Sequence, residues 1–283
     1  MIQTLAIEHD VTELCELYGV SASGYYDWAG RKPSKRALAN QDLAGRIQEA
    51  HAASRKTYGS PRVAKDLRKK GVRCSRKRVA RIMRQNGLQG VQKARFKPRT
   101  TDSRHDLPIS PNRLAELPEV SHINQVWASD ITYIPTQEGW LYLAAFLDLK
   151  SRKIKGWAIR DHMRTELVES AFLRAVFRER LGAGLIVHSD RGCQYASRDF
   201  RALLDRHHAL GSMSAKGNCY DNAAMESFWA TLKADLRITK PYPTKEAARR
   251  AIFDYIEVFY NRRRIHSAIG DLSPLDYEQQ CVA

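Results

Sequence analysis

Three acidic side chains, Asp130, Asp190 and Glu226, stand where a carboxylate needs a reason. Asp130 interrupts the otherwise uncharged stretch Val126 to Pro135, where an ionised group is costly unless a cation or hydrogen bonds compensate it. Asp190 follows the short apolar run LIVHS, and a side chain at a strand end of an open α/β sheet points into the crevice outside the sheet. Glu226 falls in the first turns of a predicted helix, AAMESFWATLKADL, between Met225 and Phe228. Thirty-five residues separate Asp190 from Glu226. Singly, each acid would serve as well for a cap or a salt bridge. Converging from separate elements, the three offer the hard oxygen ligands that Mg²⁺ takes, with water and substrate phosphate completing its shell.

The elements that must position these acids begin at Gln125, where the pattern turns to strands. VWASDITYIPT, LYLAAFLDL and KIKGWAIR, joined by the turns EGW and KSR, predict an antiparallel meander. TELVESAFLRAVFRER then repeats apolar residues at helical spacing, LIVHSD is a short buried strand, and SRDFRALLDRHH is another helix. A short segment around Gly211-Ser212-Met213 precedes the long helix opened by Asp221 or Asn222. The order β-β-β-α-β-α-β-α is that of an α/β, ribonuclease-H-like fold, a mixed sheet with helices on both faces. Asp148 at the end of the second strand fits a structural turn, and Asp221 and Asn222 fit helix caps before ligands. Trp127, Trp157, Trp229 and the run FDYIEVFYNRRR could stack on bases, although strand or helical spacing fits core residues better.

The charge of the chain is uneven. Its 283 residues carry 47 Lys plus Arg against 31 Asp plus Glu, a net +16, with 43% hydrophobic residues. That composition excludes collagen-like and disordered classes, and no apolar run approaches the roughly 18 to 20 residues that span a bilayer. The first residues, MIQTLAIEHD, lack the basic and apolar regions of a secretory signal, so a cytosolic protein is expected. Five scattered cysteines without a C-x-x-C pair predict reduced thiols. Residues 1–50 hold five basic and seven acidic side chains, residues 114–283 hold 23 and 21, and residues 51–113 hold 19 and 3. Such a block suits backbone phosphates, with a solvated basic face as the alternative.

Local pattern organises that block. Gly59-Ser60-Pro61 ahead of RVAKDLRKKG predicts a helix with Ser60 as N-cap, Pro61 at its first position and Gly71 as its stop. Ser75 caps a second helix, with Val79, Ile82 and Met83 as its apolar stripe and Gly87 at its end. The result is a helix-turn-helix over residues 58–87 whose second helix offers Arg76, Lys77, Arg78, Arg81 and Arg84 to DNA. Residues 11–28 repeat the theme with an acidic first helix, so that a packing module and a DNA contact stand level there. The expected organisation is a helical DNA-binding region over 1–91, a basic linker over 92–120 and a catalytic core with a C-terminal helix over 121–283.

The segments VWASDITYI, HSDRGCQYAS and GNCYDNAAMESFWATLK resemble the core of insertion-sequence transposases that share the D-D-35-E integrase domain with retroviral integrases. Nearly the whole chain is similar to the downstream-frame (OrfB) protein of insertion-sequence family three. TYGSPRV and its helix-turn-helix resemble that family's N-terminal region. NRRRIHSAIGDLSPLDYE resembles its C-terminal Y-N-x-x-R-x-H-x-x-L-x-x-x-x-P motif, with Ile269 in the Leu place, and Cys219 replaces a more frequent Pro of G-x-P-Y-D-N. Neither change touches a carboxylate. The resemblance implies a D-D-E polynucleotidyl transferase that cleaves and transfers DNA strands with Mg²⁺, or Mn²⁺ in its place, held by Asp130, Asp190 and Glu226. Its partners would be double-stranded DNA (the element's terminal repeats and its target), further copies of itself, since two ends must be paired, and an upstream-frame (OrfA) protein or fusion. One hydroxyl replaces another at each transfer, which fits a sequence without a G-x-x-x-x-G-K-[ST] loop.

Lys233, seven residues after Glu226 and so on nearly the same helix face, resembles the integrase lysine that contacts DNA; the alternative is an ordinary exposed lysine. His188 and Arg191, beside Asp190, are expected to reach the scissile phosphate, although alternation turns only one parity toward the metals. Gln194 and Tyr195 would fall in a mobile turn. Arg262, Arg263 and Arg264 beside His266 form a second basic cluster, a DNA contact or a solvated helix end. Two other functions compete. An inactive DNA-binding regulator or transposase relic would have no physical reason to keep all three acids. A ribonuclease-H-type nuclease for RNA–DNA hybrids fits poorly with the 35-residue interval and the helix-turn-helix front.

Overall fold

Side-chain caps set the start of most N-terminal helices. In the computed structural model, which describes residues 1–92, 107–179, 181–215 and 222–282, three short helices come first: α1 (Ile2–Leu5), α2 (Val11–Leu17) and α3 (Ala22–Ala29). Asp10 and Ser21 accept the free amides of α2 and α3, and Gly19 turns between them at φ +65°. Next is α4 (Lys35–Ala53), capped by Ser34, a helix the sequence reading did not anticipate. Helix α5 (Ser60–Lys69) starts one residue earlier than expected: the extended residue is Gly59, which has no cap side chain, so Ser60 is the first helical residue. Helix α6 (Arg76–Gln85) opens as expected, with Ser75 Oγ accepting the Arg78 amide at 3.2 Å. Gly71 and Gly87 stop the two helices in the left-handed region. Leu43 and Ile47 of α4, Val63 and Leu67 of α5, and Val79, Ile82 and Met83 of α6 are buried together, each stabilising the unit by about 1.5–3 kcal/mol. Most of the expected linker, residues 93–106, and the expected cap Asp221 lie outside the described residues, while 107–120 form no regular element.

The sheet follows the expected element order. Strands β1 (Val126–Thr136), β2 (Gly139–Asp148) and β3 (Ile154–Arg160) form an antiparallel meander, followed by α7 (Thr165–Arg178), β4 (Ile186–Ser189), the single turn α8 (Cys193–Ala196), α9 (Arg198–Arg206), β5 (Leu210–Met213) and α10 (Ala223–Asp235). The strand order is β3-β2-β1-β4-β5, with β4 parallel to both β1 and β5. Alternation along β1 divides the core. Trp127 and Ile131 pack with α7 and α9, whereas Ala128 and Ile134 pack with α10 on the other face. Asp130 shares the parity of the second set. Gly156 lets β3 and α7 touch, since a Cβ there would lie 2.4 Å from the Ala171 carbonyl oxygen. Asp148 has the structural role expected of it: buried at the end of β2, it accepts amides from Asn124 (2.6 Å), Lys150 (2.9 Å) and Ser151 (2.7 Å). Trp127, Trp157 and Trp229 are all buried.

The C-terminal segment binds the two halves together. After α10 come α11 (Lys245–Phe253), a π-helical stretch (Asp254–Tyr260), a single 3₁₀ turn (Ser267–Ile269) and α12 (Pro274–Val282). Tyr255, Ile256, Phe259 and Tyr260 share one apolar cluster with both the α4–α6 unit and the α10 side of the sheet. Tyr58, just ahead of α5, accepts the Ile265 amide at 2.8 Å, and Lys65 of α5 pairs with Asp271 at 2.7 Å. Arg55 pairs with Asp254 and lies 5.5 Å over the Phe259 ring. At the other end, Lys155, its side chain wholly buried, meets Glu179 at 3.0 Å and Glu278 at 2.6 Å, fixing α12 to the sheet. Among the described residues no helix is long and apolar enough to cross a membrane.

Candidate active site

Parallel pairing brings the first two acids side by side. Ser129 and Ser189 are register partners at the end of β4, so Asp130 and Asp190 are the next residues along on the two adjacent segments. Asp130 Oδ1 accepts the Ile131 amide at 2.8 Å, and Oδ2 accepts the indole N–H of Trp229 at 3.0 Å. Asp190 Oδ1 accepts the Gly192 amide at 3.1 Å. Burial, and after it the negative charge of Asp190, raises the Asp130 carboxyl to about 7; the two N–H donors oppose this and Glu226 adds to it. Glu226 is exposed, three residues before Trp229 on α10, so both share a helix face. Tyr195, buried beneath, bonds Ser129 Oγ at 2.9 Å and is held protonated by burial and then by Asp130 and Asp190.

The supporting residues separate into those near this centre and those engaged elsewhere. Lys233 is half-buried further along the same face; burial lowers its pKa, and the charge of Asp130 resists that shift. His188 shares the parity of Asp190 but is fully buried, its ring nitrogens 2.9 Å from Ser212 Oγ and 3.1 Å from Ser214 Oγ. This corrects its expected reach to a phosphate: both nitrogens are used between β4 and the end of β5. Arg191 Nε donates to the Ser214 carbonyl at 2.8 Å. Gln194 and Tyr195 are likewise corrected from a mobile turn to the buried helix α8, with Gln194 donating to the Met163 carbonyl at 2.9 Å. Asn222 begins α10 without a side-chain cap, and its Oδ1 is buried with no hydrogen-bond partner among the described residues.

The two basic clusters differ. On α6, Arg76, Lys77, Arg81 and Arg84 are exposed, while Arg78 leans back to Asn40 Oδ1 at 2.9 Å. Arg262 and Arg263 are exposed, but Arg264 is buried and pairs with Asp235 at 2.7 Å. That burial overturns Arg264 as a DNA contact. Trp229 was read from its spacing as core first and as a base-stacking ring second; its bond to Asp130 joins residues 99 positions apart and was not among the sequence readings.

Residues 38–96 match an HTH-like domain family, and residues 121–219 and 226–282 match two integrase core domain families. The 31 kDa protein of insertion element IS600 from Shigella sonnei is 42% identical over 267 residues, 94% of this chain and 98% of that one. Transposase InsF for insertion sequence IS3A of Escherichia coli strain K12 is 40% identical over 278 residues, 98% of this chain and 96% of that one. The chain belongs to the IS3 family of insertion-sequence transposases. Among solved structures, the HTLV-2 integrase catalytic core domain in complex with magnesium aligns with a TM-score of 0.42 at 18% identity, covering 54% of this chain and 95% of that one.

Mg²⁺ is the ion that this IS3-family membership brings into question. Among the described residues no three His, Cys, Asp or Glu side chains lie close enough together to share one ion. The donor chemistry nonetheless fits: Asp130 and Asp190 are adjacent oxygen donors whose mutual repulsion a divalent cation would relieve. Glu226 is exposed on α10, and its charge acts on Asp130.

Proposed function

We propose that this chain catalyses Mg²⁺-dependent cleavage and strand transfer of DNA at the ends of an insertion sequence, with Asp130, Asp190 and Glu226 as the metal-holding acids. The observation that carries the reading is the Asp130 carboxyl, fixed by the Trp229 indole beside Asp190 and within the field of Glu226. Bound there, Mg²⁺ would activate water or a 3′-hydroxyl for in-line attack and stabilise the leaving oxygen. The chain's own residues do the rest. Trp229 holds Asp130 Oδ2 in place, and Gly192 does the same for Asp190 Oδ1. Lys233 meets a phosphate oxygen on the Glu226 face of α10, and Arg191, steadied by Ser214, approaches from the other side. Arg76, Lys77, Arg81 and Arg84 grip duplex phosphates through α6, with Arg262 as a further contact. Partners are terminal-repeat and target DNA, a second copy of the chain and an upstream-frame protein.

The deciding experiment replaces one acid without changing its shape. Asp190→Asn should abolish cleavage of a terminal-repeat duplex in Mg²⁺ while retaining measurable binding. Undiminished cleavage would overturn the assignment of the acids. Cleavage of an RNA–DNA hybrid faster than nicking of the duplex would replace transposition with a ribonuclease-H-type activity.

A further inference from the structure

The face of the sheet turned away from Asp130 carries an aromatic row that only Tyr142 ties to the core cluster and that lies apart from the acids. Register pairs Tyr133 with Tyr142, and Tyr142 with Arg160, so three strands present one line of side chains. Trp140, two residues from Tyr142 on the same face, meets the Tyr133 ring edge-on at a centroid distance of 6.2 Å, and Tyr133 meets Tyr142 at 5.2 Å. The neighbouring row inward, Ile131, Ala144 and Ala158, is buried against α7 and α9. Cover from the described residues therefore weakens within one row: Trp140 is 55% exposed, Arg160 is exposed, and both tyrosines are partly so.

We propose that this row is a binding platform for unpaired DNA bases. Every base has a π-face, and aromatic side chains on an open sheet surface stack bases without regard to sequence. A paired duplex keeps those faces stacked on one another, so the platform selects strands that are frayed or single. Arg160 supplies a cation at the end of the row for the accompanying phosphate or for stacking. The nearby acids are engaged elsewhere: Glu138 accepts the Lys245 amide at 2.8 Å, and Asp161 lies 3.9 Å from the Lys245 ammonium. Tyr133 is three residues from Asp130 on one strand, about 10 Å along it. Being three residues apart, the two side chains point to opposite faces of β1, so the platform is a surface separate from the acids. The inference rests on the DNA-processing reading for its substrate, and not on the assignment of the three acids.

The test uses the full-length chain and an oligo(dT) single strand, with a duplex of equal length as control. Oligo(dT) should quench tryptophan fluorescence in the wild type by a component that Trp140→Phe removes. The triple variant Tyr133→Ala, Trp140→Ala, Tyr142→Ala should weaken oligo(dT) binding by about 5- to 150-fold for each base stacked and leave duplex binding unchanged. If the triple variant does not fold, Trp140→Ala alone, at the most exposed of the rings, should still weaken it by at least the lower figure. Unaltered oligo(dT) affinity, or quenching by protein concentration alone through ring-mediated pairing of two copies, would overturn the platform. Asp190→Asn separates the two readings, because it should retain oligo(dT) binding while losing cleavage. Cleavage preserved in that variant would sink the acids and leave the platform standing.

Discussion

Removing Asp235 should expose how much the buried pair at the end of α10 contributes. Asp235 Oδ2 accepts both Arg264 Nε at 2.7 Å and the Tyr255 hydroxyl at 2.9 Å, and the side chains of the ion pair are 3% and 6% exposed. Asp235→Ala leaves a buried guanidinium without its counter-charge, a loss of about 3–5 kcal/mol for a pair of this kind. At roughly 2–4 °C per kcal/mol for a chain of this size, the melting temperature should fall by about 6–20 °C. Urea unfolding followed by circular dichroism, with matching slopes for wild type and variant, measures the difference. Replacing both partners, Asp235→Leu with Arg264→Met, should recover most of the loss, since apolar groups of similar volume need no counter-charge. That double variant should also bind terminal-repeat DNA as the wild type does. A loss under about 1 kcal/mol in Asp235→Ala, or a folded double variant with weakened DNA binding, would refute the assignment of Arg264 as structural.

Mg²⁺ should raise the melting temperature of the wild type, by about 2.7 kcal/mol of stabilisation at a hundred times its dissociation constant, and Asp190→Asn should lose that rise; equal shifts in both would show binding elsewhere. Trp229→Phe removes the N–H that holds Asp130 Oδ2, a bond to a charged group of about 1.5–3 kcal/mol. Cleavage should slow by roughly 10- to 150-fold with DNA affinity intact, and an unchanged rate would show that Asp130 needs no such anchor. Lys77→Ala and Arg81→Ala on α6 should each reduce the salt dependence of duplex binding by about one counter-ion, measured as the slope of log affinity against log salt; an unaltered slope would clear α6 of phosphate contact. Gly156→Ala should destabilise the chain by at least about 1–3 kcal/mol through overpacking, as the added Cβ meets backbone of α7 and not a flexible side chain; a variant that melts with the wild type would show that β3 and α7 can separate at little cost.

The sheet was legible because its determinants are local. Alternation through Val126–Thr136, the glycine and charged residues of the turns, and the length of each apolar run specify the strands in order. The positions of Asp130 and Asp190 followed, since a charge inside or at the end of such a run is conspicuous. Helix α4 was missed because its buried positions Leu43, Ile47 and Ala50 are spread among polar residues and carry little amphipathic contrast. His188 and Arg264 were misplaced for a common reason. Sequence shows that a residue can be charged, but not that Ser212, Ser214 or Asp235, 24 to 29 positions away, will meet it in the interior. Trp229 hid in the opposite way: an aromatic at helical spacing reads as core, and its N–H at the acid site depends on how α10 crosses β1.

The contacts between the helix-turn-helix unit and the C-terminal segment join residues far apart in the order of synthesis. Tyr58 waits for Arg263 and Ile265, and Lys65 for Asp271, separations of 205 to 207 positions. At about 5–20 residues per second, the ribosome needs roughly 10 to 40 s to supply these partners. During that interval helices α4 to α6 can fold among themselves, but the surface they later press against the C-terminal segment stays open. A nascent chain therefore completes the helices proposed to hold DNA before they are aligned with the acids proposed to cut it.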